Sequence, residues 1–106
     1  MRLLEFNVNA QHLSKDPQCD FDNLVAGTKK YLKASFTFSP EWDDCQIVAS
    51  FWRGSSEHAA IVKNGVCEIP PEVLVGRTFS LYLVGRRSDG YDIITNDINV
   101  RQGVSK

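Results

Sequence analysis

The clearest pattern in the chain is the stretch Leu32-Lys33-Ala34-Ser35-Phe36-Thr37-Phe38, which lies at the centre of residues 31–39. Apolar and polar side chains alternate along it, and its aromatic and β-branched residues favour extended backbone. Because successive side chains of a strand point to opposite faces, this pattern predicts a strand with one face in the core. Pro40 cannot donate a ladder hydrogen bond, so we expect the chain to leave the sheet there and Trp42 to pack against the end of the strand.

The same period-two alternation recurs on both sides of this stretch. It predicts further strands at residues 4–8, 46–53, 57–62, 66–69, 78–84, 91–95 and 97–101. Residues 46–53 carry apolar side chains on both faces, which is typical of a central strand. Asn64-Gly65 stands between two of these runs and predicts a tight hairpin, because both residues tolerate positive φ.

Turns and loops separate these runs. Glu72-Val73-Leu74 is expected to form no more than one short helical turn after two prolines, and residues 85–90 a charged turn. Residues 11–24 are rich in Asp, Ser and Pro and are predicted to form a long loop. No stripe of helical period is present. About seven or eight short antiparallel strands therefore indicate an all-β fold, a β-sandwich or a small barrel, of which we favour the small β-sandwich, and they form one domain over residues 1–106.

Composition narrows the classes of partner. Twelve basic and thirteen acidic residues give a net charge of -1, without the basic excess that nucleic acid or an anionic membrane attracts. No apolar run approaches the ~20 residues that span a bilayer, and the N-terminus lacks the hydrophobic stretch of a signal peptide. Cys19, Cys45 and Cys67 are odd in number and widely spaced, so we expect reduced thiols in cytosol-like solvent rather than disulfides or zinc ligands.

Candidate catalytic and metal-binding residues form no motif. His12 and His58 are the only histidines, and the sequence places neither beside a nucleophile, so surface or rim positions are favoured. The carboxylates of residues 16–22 and 41–44 lack the spacing of a calcium loop and favour solvated acidic loops. We therefore expect neither an enzyme nor a bound cofactor or metal.

Two blocks of the sequence resemble a known group of proteins. The first comprises Val25-Ala26-Gly27-Thr28, Phe36-Thr37-Phe38-Ser39-Pro40-Glu41-Trp42 and Val48-Ala49-Ser50-Phe51; the second comprises Asn64-Gly65 to Leu74, with its Cys-Glu-Ile-Pro-Pro run, then Phe79 to Gly85 and Ile94-Thr95-Asn96. Together they span about residues 25–102 and resemble small structural modules of bacteriophages, namely Ig-like domains of tail or capsid accessory proteins in phages of Gram-positive hosts. The resemblance implies a protein made in the host cytoplasm and located in the virion.

What the resemblance implies is a module that binds other virion proteins and associates with itself. Two alternatives stay open: a phage-encoded inhibitor of a host protein, which the small size would equally permit, and a carbohydrate-binding module built on the two tryptophans. For all three functions, we predict that the residues in contact with the partner are Trp52, Arg53, Trp42, Tyr82, Arg86 and Arg87. Of the two tryptophans, Trp52 is the favoured surface contact, whereas core or strand-end packing is favoured for aromatic residues in general.

Overall fold

Two β-sheets packed against each other form the protein, for which a computed structural model describes residues 1–103. Its strands are β1 (Arg2–Asn9), β2 (His12–Lys15), β3 (Leu32–Phe38), β4 (Gln46–Arg53), β5 (Ser56–Val62), β6 (Val66–Glu68), β7 (Thr78–Arg86), β8 (Asp92–Ile94) and β9 (Ile98–Arg101). Single 3₁₀ turns at Pro40–Trp42 and Pro71–Val73 each begin at a proline. No helix in the described part of the chain is long and apolar enough to cross a membrane.

The strand order confirms the β-sandwich. One sheet has the order β2-β1-β3-β6, and the other has the order β5-β4-β7, with β8 and β9 sharing the far edge of β7. Strand β4 is central, as its two-faced apolar pattern predicts. The expectation of antiparallel pairing throughout is wrong for one pair, because β1 and β3 run parallel from Arg2 opposite Leu32 to Val8 opposite Phe38. Parallel neighbours need a long connection, and residues 10–31 supply it.

The prediction of a loop over residues 11–24 is wrong at its start. Strand β2 lies within it and pairs with β1 through a two-residue connection in which Ala10 has a φ of 52°. Leu13 is the one apolar residue of β2 and is buried. A four-residue strand with a single inward side chain shows no alternation, and this is why the pattern missed it.

The core lies between the sheets and is built from the inward side of every long strand. Its largest fully buried side chains include Phe6, Phe51 and Phe79. Trp42 joins them from the 3₁₀ turn, with its ring centroid 5.3 Å from that of Phe38, so the expected return of Trp42 against the end of β3 is confirmed. Its indole Nε1 donates a 2.8 Å hydrogen bond to the carbonyl of Ala10.

The tight turn at Asn64-Gly65 is confirmed, although it joins strands of different sheets. Asn64 and Gly65 have φ values of 53° and 77°, and the flanking Lys63 and Val66 exchange backbone hydrogen bonds of 2.9 and 3.0 Å. Positive φ at both central residues defines the type I′ geometry that Asn-Gly favours. Beyond this single bridge the strands separate, β5 continuing beside β4 and β6 beside β3.

One lateral side of the sandwich is closed by a side-chain amide. Asn96 follows β8, and its Oδ1 accepts from the Leu13 N–H at 2.8 Å while its Nδ2 donates to the Leu13 carbonyl at 3.1 Å. The backbone N–H of Asn96 also donates to the carbonyl of Gln11. Thr95 holds this segment on β7, since its N–H donates to the carbonyl of Leu83 and its Oγ1 accepts from the N–H of Leu83. The edge of β2 is thereby paired without a further strand.

Candidate functional site

Three of the six predicted contact residues lie together on the solvent side of the five-stranded sheet. Trp52 on β4 and Tyr82 and Arg86 on β7 all occupy outward positions of these neighbouring strands. We call this surface the outer face; its further members are Val48, Ser50, Ala59, Ile61, Ser80, Val84 and Ile94. Alternation along β4 and β7 brings them together, because every second side chain points away from the core.

A hydrogen-bonded chain fixes the Trp52 ring on this face. Ser50 is only 3% exposed; its Oγ donates to Oε2 of Glu57 and accepts from Nε1 of Trp52 at 2.9 Å. Glu57 lies directly opposite Trp52 on β5. The indole thus has its one polar group satisfied within the protein, so its rotamer is held before any partner arrives.

Two shallow hollows lie on either side of Tyr82. One, of about 460 Å³, is bounded by the three β4 residues Gln46, Val48 and Ser50 together with Glu57, Val84 and Arg86. The other, of about 350 Å³, lies between Trp52 and the segment that runs from Ile94 to Asp97. Tyr82 lines both hollows and forms the ridge between them. Such a surface can receive side chains of a partner on each side of one aromatic ring.

Charged groups lie around the outer face rather than at its centre. The central positions carry Val48, Ser50, Tyr82 and Val84, which are uncharged. Arg86 and Asp92 form a 3.9 Å ion pair near one end, and both side chains are largely exposed. At the margins Ile61 and Ile94 are 67% and 49% exposed. A centre without charged side chains is typical of protein-binding surfaces.

The other three predicted contact residues lie elsewhere. Trp42 is 2% exposed and belongs to the core, so its proposed role as a contact residue is wrong; the chain has to fill the space over Gly85, and the Trp42 ring occupies it. Arg53 is exposed at the end of β4, where its side chain packs against Gly76. Arg87 lies in the turn after β7 with its guanidinium 3.8 Å from the ring centroid of Tyr91, so it orders that turn.

Sequence reasoning missed the apolar part of the outer face. Ile61 follows Ala60 and precedes Val62, and Ile94 follows Ile93, so the alternation gave no sign of which side faced the core. Register supplies the answer: Ile61 lies opposite Val48, and Ile94 lies opposite Val84, both on the outward side. The apolar residues on the second side of residues 46–53 were the one available signal.

The candidates for other chemistry serve structural roles. Asp16 Oδ1 and Asp20 Oδ1 accept from the N–H groups of Gln18 and Asp22, which makes them turn-stabilising residues. Between residues 1 and 103, no three His, Cys, Asp or Glu side chains are grouped so as to hold a metal ion. All three cysteines are free thiols.

Burial sets the ionisation of two of these thiols. It raises the pKa of Cys67 to about 12 and also raises the pKa of Cys45. Since the thiolate is the reactive form, a raised pKa makes each of these groups a poorer nucleophile. The arrangement on the outer face is suited to binding.

The chain was also compared with known proteins. No family model, no curated protein and no solved structure matches it.

Proposed function

We propose that this protein is a bacteriophage virion module that associates with itself and with other virion proteins through the outer face. The observation that carries the proposal is the position of the half-buried Trp52 and Tyr82 on the solvent side of the sheet, where the central positions are uncharged and the margins carry the exposed Ile61 and Ile94. Aromatic residues at the surface and an absence of charge at the centre are features of protein-binding surfaces. The resemblance to phage tail and capsid accessory modules supplies the location.

Self-association follows from the way in which charge is distributed on the face. Two copies placed face to face would bury Val48, Val84 and the two aromatic rings against each other, with Glu57 and Arg86 beside them around the larger hollow. No central position carries a charged side chain, and the Glu57 carboxylate that borders the larger hollow already bonds to Ser50, which lowers the cost of pairing like surfaces. A two-fold arrangement is the commonest symmetric solution.

Sedimentation velocity over a wide range of protein concentrations tests the self-association. We expect the native chain to form dimers or larger closed assemblies, and Tyr82→Arg to remain monomeric because it places a charge at the centre of the face. Thr37→Arg is the matched control, since Thr37 is exposed on the other sheet, and it should behave as the native chain does. A native chain that stays monomeric at about 1 mM contradicts self-association.

Mass spectrometry of purified particles tests the location. Particles of a phage that encodes the chain should contain it in a fixed ratio to the other structural proteins. Its absence from particles, together with stoichiometric recovery of one host protein from infected cells, would instead favour the inhibitor. If the Tyr82→Arg variant no longer recovers that host protein, the host protein binds to the same outer face.

A further inference from the structure

The lateral side opposite Asn96 is open along the edge of β5. Strand β5 pairs only with β4 within the described residues, and its other edge has no backbone partner there. Lys63, the next residue, turns its N–H and C=O away from β4 to bond Val66. Because the direction alternates along an antiparallel strand, Ile61, Ala59 and Glu57 turn their N–H and C=O groups the same way. This edge is seven residues long, which is enough for a full ladder with another strand.

A groove runs beside this edge. It consists of two adjoining hollows of about 470 and 280 Å³, and Ala60 and Glu68 line both of them. The larger hollow also reaches Ile61, Val66 and Cys67, and the smaller one reaches Ile69, Pro70 and Pro71. We call the two together the edge groove. Small and apolar side chains on its floor allow another backbone to approach closely.

Four lysines border the edge groove. Lys33 and Lys63 line the larger hollow, and Lys29 and Lys30 line the smaller one. Glu68 is the single carboxylate that lines either hollow. None of the four lysines has an ion-pair partner within 4 Å among residues 1–103. A chain of net charge -1 thus gathers a local positive excess along the free edge of β5.

We propose that the edge groove binds an extended, acidic segment of a partner protein, which adds to β5 as a further strand. An exposed edge offers donors and acceptors in alternation, and a peptide main chain is the ligand that satisfies both. The lysines then select a segment that carries carboxylates. A phosphate backbone would pair with the lysines but has no N–H to donate to the carbonyl groups of Ala59 and Ile61, so the edge favours peptide over nucleic acid.

This binding does not rest on self-association through the outer face. The groups involved are the backbone of β5 and the lysine ammonium groups, whereas self-association depends on the Tyr82 and Trp52 rings. Tyr82→Arg should therefore leave binding in the edge groove intact. Failure of one proposal is thus distinguishable from failure of the other.

The test uses the full chain labelled with ¹⁵N and a capped synthetic peptide of about seven residues that alternates valine with aspartate. We expect saturable shifts in the amide signals of residues 56–62 and slower hydrogen exchange at Ala59 and Ile61. The same peptide with N-methylated backbone nitrogens should bind at least about tenfold more weakly because it cannot form the ladder. Equal binding of the two peptides, or shifts confined to other residues, overturns the proposal.

A pair of variants at one position examines the backbone contact. Ala59→Pro removes an N–H that points away from β4, so the fold should persist, as the amide spectrum will show, and peptide binding should be lost. Ala59→Ser keeps the N–H and should bind as the native chain does. Were Ala59→Pro to unfold the protein, the N-methylated peptide would still decide the question.

The charge requirement has its own comparison. The double variant Lys30→Glu and Lys63→Glu should weaken binding about tenfold, whereas Arg77→Glu with Arg101→Glu, an equal change in net charge away from the groove, should not. An asparagine-valine peptide should also bind more weakly, and the difference should shrink as salt rises. Oligothymidylate that binds the groove as tightly as the acidic peptide would overturn the assignment to peptide.

Discussion

On one lateral side of the sandwich, Asn96 bonds to both main-chain groups of Leu13, whereas on the opposite side the outward main-chain groups of Ala59 and Ile61 have no such partner among residues 1–103. The closed side is secured by one amide and by the Trp42 indole, which reaches across to Ala10. The open side carries lysines in place of a covering segment. A free edge invites pairing with other chains, and flanking lysines limit which chains can pair.

The largest effect should come from removing the indole that secures the closed side. Trp42→Ala should lower the free energy of unfolding by about 4 kcal/mol, because it deletes a fully buried ring and leaves the carbonyl of Ala10 without its donor. Urea denaturation measures this. Trp52→Ala on the outer face is the control, and a loss as large as that of Trp42→Ala would contradict the distinction between the two rings.

Asn96→Ala should have the next largest effect. It leaves the N–H and C=O of Leu13 without their partners beside the core, and we expect a loss of about 2 kcal/mol in urea denaturation. Asn99→Ala, at an exposed position of β9, should stay within about 0.5 kcal/mol of the native chain. Similar losses in the two variants would mean that Asn96 does not close the side.

Hydrogen exchange compares the two sides directly in the native chain. The amide of Leu13 should exchange at least about tenfold more slowly than that of Ala59, since the first is bonded to Asn96 and the second faces solvent. Exchange rates from ¹⁵N spectra give the ratio. In Asn96→Ala the Leu13 amide should exchange as rapidly as the Ala59 amide; a ratio that survives this change would assign the protection to some other contact.

The smallest effect concerns Cys67, which lies under the open side. Burial raises the pKa of its thiol to about 12, against 9.0 for an exposed thiol, so at high pH the unfolded chain loses this proton first. Stability should be unaffected below about pH 8 and should fall as the pH rises from 9 towards 12, by about 1.4 kcal/mol at pH 10. Cys67→Ala should lack this part of the pH dependence. Equal slopes for the two proteins would mean that water reaches the thiol through the edge groove.

The sequence predicted the parts of the fold that depend on long alternating runs. β3, β4 and β7 were found because each has at least three inward apolar residues, and the Asn64-Gly65 turn was found because its backbone geometry demands those residue types. Strand β2 and the parallel pairing of β1 with β3 were not. Both depend on contacts between distant parts of the chain, such as Leu13 with Asn96, that leave no local period.

The candidate site was predicted in part for the same reason. Trp52, Tyr82 and Arg86 stand on long strands, where alternation separates inward from outward positions. The four lysines of the edge groove come from three separate parts of the chain. Lys29 and Lys30 precede β3, Lys33 lies in β3, and Lys63 directly follows β5. Only the packing of the two sheets brings them to one groove. A charge cluster assembled from distant segments has no signature in a linear sequence.

The length of the turn at Asn64-Gly65 also fixes the register of the strand that follows it. It passes the chain from one sheet to the other within two residues, so it determines which side chains of β6 point inward. One inserted residue here would exchange the two sides of β6, bringing Cys67 to the surface and Glu68 beneath it. Length variation among descendants of this chain should therefore accumulate in the connection between β2 and β3 and spare this turn.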